Sequence, residues 1–162
     1  MNQMQQQNPL LGVYDRDPGR WRPFKYGVDI DVPVGLNGVG IGEIETLNQP
    51  FIMDRITCAV VGDVTDPVAT GLSDDGQYYL EWEEQQSRYQ NAPLLVKSAY
   101  GSDHYPIPLS LPIAFAGNRT FKFRITNAYA RTLNPDAETF RVHVTMHGLA
   151  DWGPDTPPTG SR

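Results

Sequence analysis

The sequence predicts an all-β fold, an antiparallel sandwich or barrel, from two long alternations and from the spacing of its turns. In residues 120–126, Phe121, Phe123 and Ile125 alternate with polar residues without a break. The stretch from Phe140 to His147 alternates in the same way. A period of two puts neighbouring side chains on opposite faces of a strand, so both stretches predict half-buried β-strands. Elsewhere the apolar segments are separated by turn residues rather than by helix-length patterns.

The first 25 residues predict an extended N-terminal arm. They are rich in Gln, Asn, Arg and Pro and show no regular apolar period. Their large apolar residues indicate that the arm orders against its own domain or a neighbouring subunit. The expected partner-binding residues are Leu10, Leu11, Tyr14, Trp21 and Phe24.

The β-sandwich domain is expected over residues 26–152, and residues 153–162 are expected to form a flexible, Pro-rich C-terminal tail. Within the domain, Asn37-Gly38 is a strong turn pair, which predicts a hairpin in a run of three meandering strands. The prolines of residues 106–115 favour an edge or bulged strand. The expected strands lie at residues 26–32, 39–47, 51–61, 78–83, 106–115, 119–127 and 138–147, with an ambiguous helical turn or strand within 84–105.

Composition argues against several classes of partner. A formal net charge of -6 over 162 residues disfavours a phosphate-binding surface, so nucleic acid is not an expected partner. No window is apolar and long enough for a membrane-spanning helix, and the N-terminus lacks the pattern of a secretory signal. The single cysteine, Cys58, excludes an internal disulfide, and its apolar strand predicts a buried, unreactive thiol.

Two histidines form the most obvious candidate for a metal site, and their spacing argues against one. His143 and His147 lie on the polar side of the last alternating stretch. Four residues along a strand span roughly 13 Å, too far for both rings to bind one metal ion. We expect surface or interface histidines, and neither a metal site nor a cofactor.

The remaining catalytic patterns are weak. Glu81 and Glu83 share one strand face, as a glycosidase pair would, but such carboxylates are common on outer strand faces. The glycine-rich run at 35–42 lacks the Gly-Lys-Ser/Thr ending of a phosphate loop, so it predicts a flexible hairpin and bulged strand. The sequence predicts a protein that is not an enzyme.

Two features would suit a carbohydrate-binding module. Exposed rings such as Tyr79, Tyr89 or Tyr100 would stack on sugars, although core packing or an interface would use similar residues. The loop from Asp63 to Asp75 is rich in aspartates that could bind calcium, but it lacks the spacing of a helix-loop-helix calcium site and is expected to be solvated. For Tyr78 and Trp82, which share the apolar side of their strand, we expect core packing.

Six segments follow one another in a recognisable order: Phe51–Ile56, Tyr79–Gln85, Ala92–Leu94, Pro106–Leu109, Asn118–Phe121 and Phe140–Gly148. This order resembles that of small jelly-roll proteins of tailed-phage virions, over about residues 45–150. In that family such segments build decoration, collar or head-fibre subunits. The resemblance implies a jelly-roll sandwich of about eight strands and supplies no catalytic residues.

The function implied is that of a non-enzymatic structural protein of a tailed bacteriophage. It would attach to the head or neck as a homo-oligomer through its N-terminal arm, with capsid, portal or neck proteins as partners. Its location would be the virion, assembled in the host cytoplasm. The alternative function is a carbohydrate-binding β-sandwich module, and a cupin-type enzyme is disfavoured because the histidines lie on the polar strand face.

Overall fold

A computed structural model of the chain describes residues 19–61, 78–85, 87–88, 90, 92–100, 107–128 and 138–153. This part is all-β apart from one short helix, α1 (Val96–Ala99). The strands are β1 (Trp21–Pro33), β2 (Val39–Glu45), β3 (Phe51–Val61), β4 (Tyr78–Glu84), β5 (Ser87–Arg88), β6 (Leu94–Leu95), β7 (Ile113–Phe115), β8 (Thr120–Asn127) and β9 (Thr139–Asp151). The predicted all-β class is confirmed.

The strands form two antiparallel sheets that enclose one core. Sheet A has the order β1-β9-β3-β7, and sheet B has the order β2-β8-β4-β5, with β6 also paired to β4. The predicted meander of three strands is wrong, because β1, β2 and β3 alternate between the two sheets. As predicted from its prolines, the 106–115 segment supplies an edge strand, β7.

The connection between β1 and β2 explains why the predicted hairpin does not form. A turn does form there, with Asn37 at φ 61° and the Gly38 amide donating to the Gly35 carbonyl at 3.0 Å. The fully buried Asn127 side chain of β8 then donates to the carbonyls of Val34 and Gly35 at 2.9 and 3.0 Å. These bonds hold the turn as a corner that carries the chain from sheet A to sheet B.

Both sequence alternations hold in the structure. In β8, the side chains of Phe121, Phe123 and Ile125 are completely buried. The polar residues that alternate with them are exposed or half-buried. The inner side of β9 is buried in the same way from Phe140 to Met146. The other large, fully buried side chains include Tyr78, Phe51, Ile30, Met53, Ile56 and Leu80.

Strand β3 departs from a simple alternation. The sequence pattern predicts that Ile52 shares a face with Ile56 and Cys58. In the structure, the buried residues at the start of β3 are instead Phe51 and Met53. The register with β9 shifts between Met53 and Arg55, and the extra residue exchanges the two faces. The core face therefore continues from Met53 to Ile56 across the bulge.

The glycine-rich run lets β2 approach β1 closely. A Cβ atom on Gly40 would lie 2.5 Å from the Asp31 carbonyl oxygen, and one on Gly42 would lie 2.6 Å from an Ile30 side-chain carbon. Only glycine permits this approach, which closes one side of the sandwich. As expected, the run is not a phosphate loop, because it leads into β2 rather than into a helix.

Strand β1 begins at Trp21, inside the segment 1–25 that the sequence assigns to the arm. Trp21 pairs with Asp151 at the end of β9, and residues 21–25 continue the sheet. The sequence gives no sign of this pairing, because Pro23 interrupts any strand pattern there. Residues 1–18, with Leu10, Leu11 and Tyr14, lie outside the described residues, as do residues 154–162 of the expected tail.

The ambiguous stretch 84–105 contains both predicted elements in short form. Strand β6 occupies Leu94–Leu95, and α1 follows it directly. Val96 of α1 is buried and joins the core.

Candidate functional site

The outer face of sheet A carries a depression of about 460 Å³. We call it the sheet A depression; it is lined by Lys25, Gly27, Thr57, Ala59, His143, Thr145 and His147. These residues come from β1, β9 and β3, the three adjacent strands at the middle and one edge of the sheet. The site is therefore held on paired strands rather than on loops.

The depression exists because one cross-strand row has small side chains. Gly27, Thr145 and Thr57 lie side by side in register and form its floor. The next row on one side is Lys25, His147 and Arg55. On the other side lie Asp29 and His143 with Ala59. Lys25, His147 and His143 thus flank a floor that carries two hydroxyl groups.

Hydrogen bonds fix both imidazole rings. His143 Nδ1 lies 2.7 Å from Asp29 Oδ1, and His147 Nε2 lies 2.8 Å from Thr57 Oγ1. A Cβ atom built on Gly27 would lie 2.9 Å from His143 Nε2, so the glycine makes room for that ring. The Asp29 carboxylate orients His143 so that Nε2 lies over the floor of the depression.

The expected position of the two histidines is confirmed. Both lie on the outer face of β9, in rows separated by the Thr145 row. Within the described ranges, no group of three or more His, Cys, Asp or Glu side chains is arranged to hold a metal ion.

The outer face of sheet B has a different charge pattern. Lys122 of β8 lies between Glu43 of β2 and Glu83 of β4, in register with both. Arg124 lies between Ile41 and Glu81 in the same way. Glu81 and Glu83 share a face, as predicted, but each is paired in register with a cation.

The rings proposed for sugar stacking separate into different environments. Tyr79 is 41% exposed on the outer face of sheet B. Tyr100 is only 3% exposed, and its hydroxyl accepts a hydrogen bond from Trp82 Nε1 at 3.2 Å. Burial raises the pKa of Tyr100 to about 12. The expectation that Tyr100 is an exposed stacking ring is wrong, because it closes the core above Trp82.

Other predicted positions have mixed outcomes. Tyr78 and Trp82 are buried in the core, as expected. Tyr89 and the Asp63–Asp75 loop lie outside the described residues. Cys58 is buried as expected, and desolvation raises the pKa of its thiol far above the usual range.

One of the expected partner-binding residues, Phe24, packs on the chain's own sandwich. Trp21 and Phe24 are both half-buried in β1. The Phe24 ring lies 4.8 Å from the Tyr26 ring and 5.8 Å from the Trp152 ring, centroid to centroid. This aromatic cluster fixes the start of β1 to the end of β9.

The sequence predicted the polar face of β9 but not the residues that complete the site. Lys25 and His147 are 122 positions apart, and only the pairing of β1 with β9 brings them together. No local pattern signals that pairing. Gly27 is the one residue whose type could have indicated the site, because an isolated glycine inside a strand often marks a place where another group approaches the backbone closely.

Among the helices that the structure describes, none is long and apolar enough to cross a membrane. Comparison of the chain with protein-family models, with curated proteins and with solved structures finds no match.

Proposed function

We propose that this chain is a non-enzymatic, jelly-roll structural protein of a tailed-phage virion. It attaches to the head or neck as a homo-oligomer, and the segment that precedes β1 takes part in the attachment. The strand pairing of the two sheets is the observation that carries this proposal.

The pairing is nested. β1 pairs with β9, β2 with β8, β3 with β7, and β4 with β5 and β6. One long antiparallel hairpin wrapped around a core would give this pattern, and successive strands would then alternate between two sheets. Double-sheet jelly rolls of two Greek keys have this character, and viral capsid proteins and lectins use them.

The filled interior supports a structural role over a cupin-type enzyme. Such an enzyme needs metal ligands inside its barrel, whereas His143 and His147 lie on the outer face of sheet A. The space between the sheets is occupied by aromatic and aliphatic side chains.

Arg20, which directly precedes β1, is bonded to the end of β9. The Arg20 guanidinium donates to both Asp151 carboxylate oxygens, at 2.8 and 2.7 Å. The Trp152 amide donates to the Arg20 carbonyl at 2.8 Å. Residues 1–18 directly precede Gly19 and Arg20, so contacts that they make with a neighbour would be linked through Arg20 to the end of β9.

Deletion of residues 1–18 tests the proposal, with deletion of residues 154–162 as the control. Light scattering should give a defined oligomer for the full chain and the control, and a folded monomer for the N-terminal deletion. A monomeric full chain would contradict the proposed assembly. Immunogold labelling of purified particles of the phage that encodes the chain should place it at the head or neck, and unlabelled particles would contradict the virion role.

The second candidate is a carbohydrate-binding module, which the exposed Tyr79 ring favours. Tyr79 lies beside Thr126 and Leu95 on sheet B. Glycan-array binding that is lost in Tyr79→Ala and kept in Tyr79→Phe would support this function. An array without a reproducible signal would remove it.

A further inference from the structure

We propose that the free edge of β2 receives the N-terminal segment of a neighbouring copy of this chain as an added β-strand. The occupant is the proline-free stretch at residues 10–17 of that neighbour. This inference rests on the proposed homo-oligomer and names the surface that receives its arm.

The pairing of β2 with β8 leaves one side of the β2 backbone open. At one end of the pair, the Asn127 amide donates to the Gly38 carbonyl at 2.9 Å. At the other end, the Thr46 amide donates to the Arg119 carbonyl at 2.8 Å. Both bonds fix the same alternation of the ladder, in which the even-numbered residues of β2 bond to β8. The N–H and C=O groups of the odd-numbered residues therefore face away from β8.

These outward groups belong to residues at the protein surface. They are Val39, Ile41, Glu43 and Glu45, and all four are exposed, Ile41 by 56%. In the part of the chain that the structure describes, none of their backbone groups has a hydrogen-bond partner. β2 thus ends sheet B as a seven-residue strand with an open backbone edge.

The other strands at the edges of the described sheets are short or contain proline. β7 has three residues, and β5 and β6 have two each. β1 contains two prolines, and its Asp31 carbonyl lies close to the inward-facing Gly40 of β2. β2 has no Pro, Lys or Arg, and only Glu43 and Glu45 place charge on its edge. Natural sheets protect such an edge with charges, proline or a covering segment, so β2 has the features of an edge that is covered.

The chain itself supplies a segment of matching length. Residues 1–18 precede the described part, and positions 10–17 within them have the sequence LLGVYDRD. Proline, which cannot donate to a ladder, bounds this stretch at Pro9 and Pro18. Its eight residues are enough to pair along the seven of β2, and Val13 and Tyr14 are of types enriched in strands. Main-chain hydrogen bonds are the source of affinity when an extended segment adds to a sheet edge.

The strand directions favour the arm of a neighbour over the chain's own arm. β1 and β2 run in opposite directions, because Asp31 lies close to Gly40 and the Tyr26 hydroxyl accepts from the Leu47 amide at 3.2 Å. An arm that turned back directly before Arg20 would run antiparallel to β1, and therefore parallel to β2. A neighbour's arm can pair with β2 in the antiparallel sense, which is slightly more stable per residue.

The test compares the mass of the full chain, measured by light scattering over a range of concentrations, with that of two Ile41 variants. Ile41→Pro removes an outward N–H group without removing a bond to β8, and Ile41→Lys keeps that N–H group but charges the edge. Each should raise the concentration at which half of the oligomer dissociates by at least about tenfold, the effect of losing one or two backbone hydrogen bonds. The matched control is Leu36→Ala, at an exposed aliphatic residue outside β2, and it should dissociate as the wild type does.

Photo-crosslinking locates the arm directly. Full chains with Tyr14→p-benzoylphenylalanine, half of them ¹⁵N-labelled, are mixed below the dissociation concentration and then concentrated. Illumination should join residue 14 to a β2 peptide, with one labelled and one unlabelled partner in half of the products. Cross-links confined to partners of the same label would show that each chain binds its own arm, and cross-links to other strands would show another surface. Either result would overturn the proposal.

The same measurements separate this inference from the proposed assembly. An oligomer that is lost on deletion of residues 1–18 but kept in both Ile41 variants would overturn the role of the β2 edge and leave the assembly standing. A monomeric full chain would overturn both. Thermal unfolding below the dissociation concentration is the folding control, and Ile41→Lys should keep the wild-type Tm because residue 41 is exposed. If Ile41→Pro fails to fold, Ile41→Lys alone decides the result.

Discussion

The ion pair between Arg20 and Asp151 should stabilise the sandwich measurably, because it joins the first residues of sheet A to the last. Both carboxylate oxygens accept from the guanidinium, and the Gly153 amide donates to Oδ1 at 2.9 Å. The Asp151 side chain is only 8% exposed, whereas Arg20 is 47% exposed. Solvent therefore screens one partner, and the pair should contribute less than a fully buried one.

Asp151→Asn removes the charge and places an amide donor against the guanidinium. Hydrogen bonds to charged groups contribute about 1.5–3 kcal/mol, and the exposure of Arg20 favours the lower part of this range, about 2 kcal/mol. For a domain of this size, that loss lowers Tm by about 4–8 °C. Urea denaturation at pH 7 should show it as a lower midpoint with an unchanged slope.

The pH dependence gives an independent check. The Arg20 guanidinium holds the pKa of the Asp151 carboxyl below its usual range. A lowered folded-state pKa contributes stability that is present above the unfolded-state pKa, about 3.9, and is lost as the pH falls through the folded value. The difference between wild type and Asp151→Asn should therefore be constant from pH 5 to 7 and shrink below about pH 4.

A double-mutant cycle with Arg20→Met isolates the pair. We expect a coupling energy of at least about 1 kcal/mol. A loss below about 0.5 kcal/mol in Asp151→Asn, or a coupling near zero, would refute the reasoning, because the pair would then resemble an ordinary surface ion pair.

Three further predictions concern the core and the β1–β2 corner. Asn127→Ala should lower the free energy of unfolding by about 2–4 kcal/mol, because two carbonyl oxygens of the β1–β2 corner lose their hydrogen-bond donor. Equilibrium unfolding measures this loss, and a loss under about 1 kcal/mol would contradict the role of Asn127 in holding the corner. Gly40→Val should lower the free energy of unfolding by more than about 2 kcal/mol in the same assay, because its Cβ atom would lie 2.5 Å from the Asp31 carbonyl oxygen. An unchanged free energy of unfolding would show that β2 can move away from β1. Cys58 should resist a thiol reagent in the native state and react fully in denaturant, and rapid native labelling would show that sheet A opens.

The fold class could be predicted from sequence because its signal is local. The alternations around Phe123 and Val144 depend only on neighbouring residues, and both survive in the structure. The pairing of strands could not be predicted, because a strong turn at Asn37 is compatible with a hairpin or with a corner between sheets. The buried amide of Asn127, distant in sequence, decides between them.

The site was only half predictable for the same reason. The polar face of β9 was visible in the sequence, and so was the argument that His143 and His147 are too far apart for one metal ion. The position of Lys25 beside His147 depends on the pairing of β1 with β9. Tyr100 is buried beside Trp82, with which it shares a hydrogen bond, and no periodicity reveals this contact.

The nested strand pairing also determines when the chain can fold during synthesis. The strand between β1 and β3 in sheet A is β9, and the strand between β2 and β4 in sheet B is β8. Each sheet therefore receives one of its two central strands from the last part of the described chain. Distant pairings of this kind slow folding, and strand edges that wait for a partner favour aggregation. The ribosome must deliver β8 before sheet B can close and β9 before sheet A can close, so a nascent chain that stalls before Thr120 would expose unpaired strands and depend on chaperones.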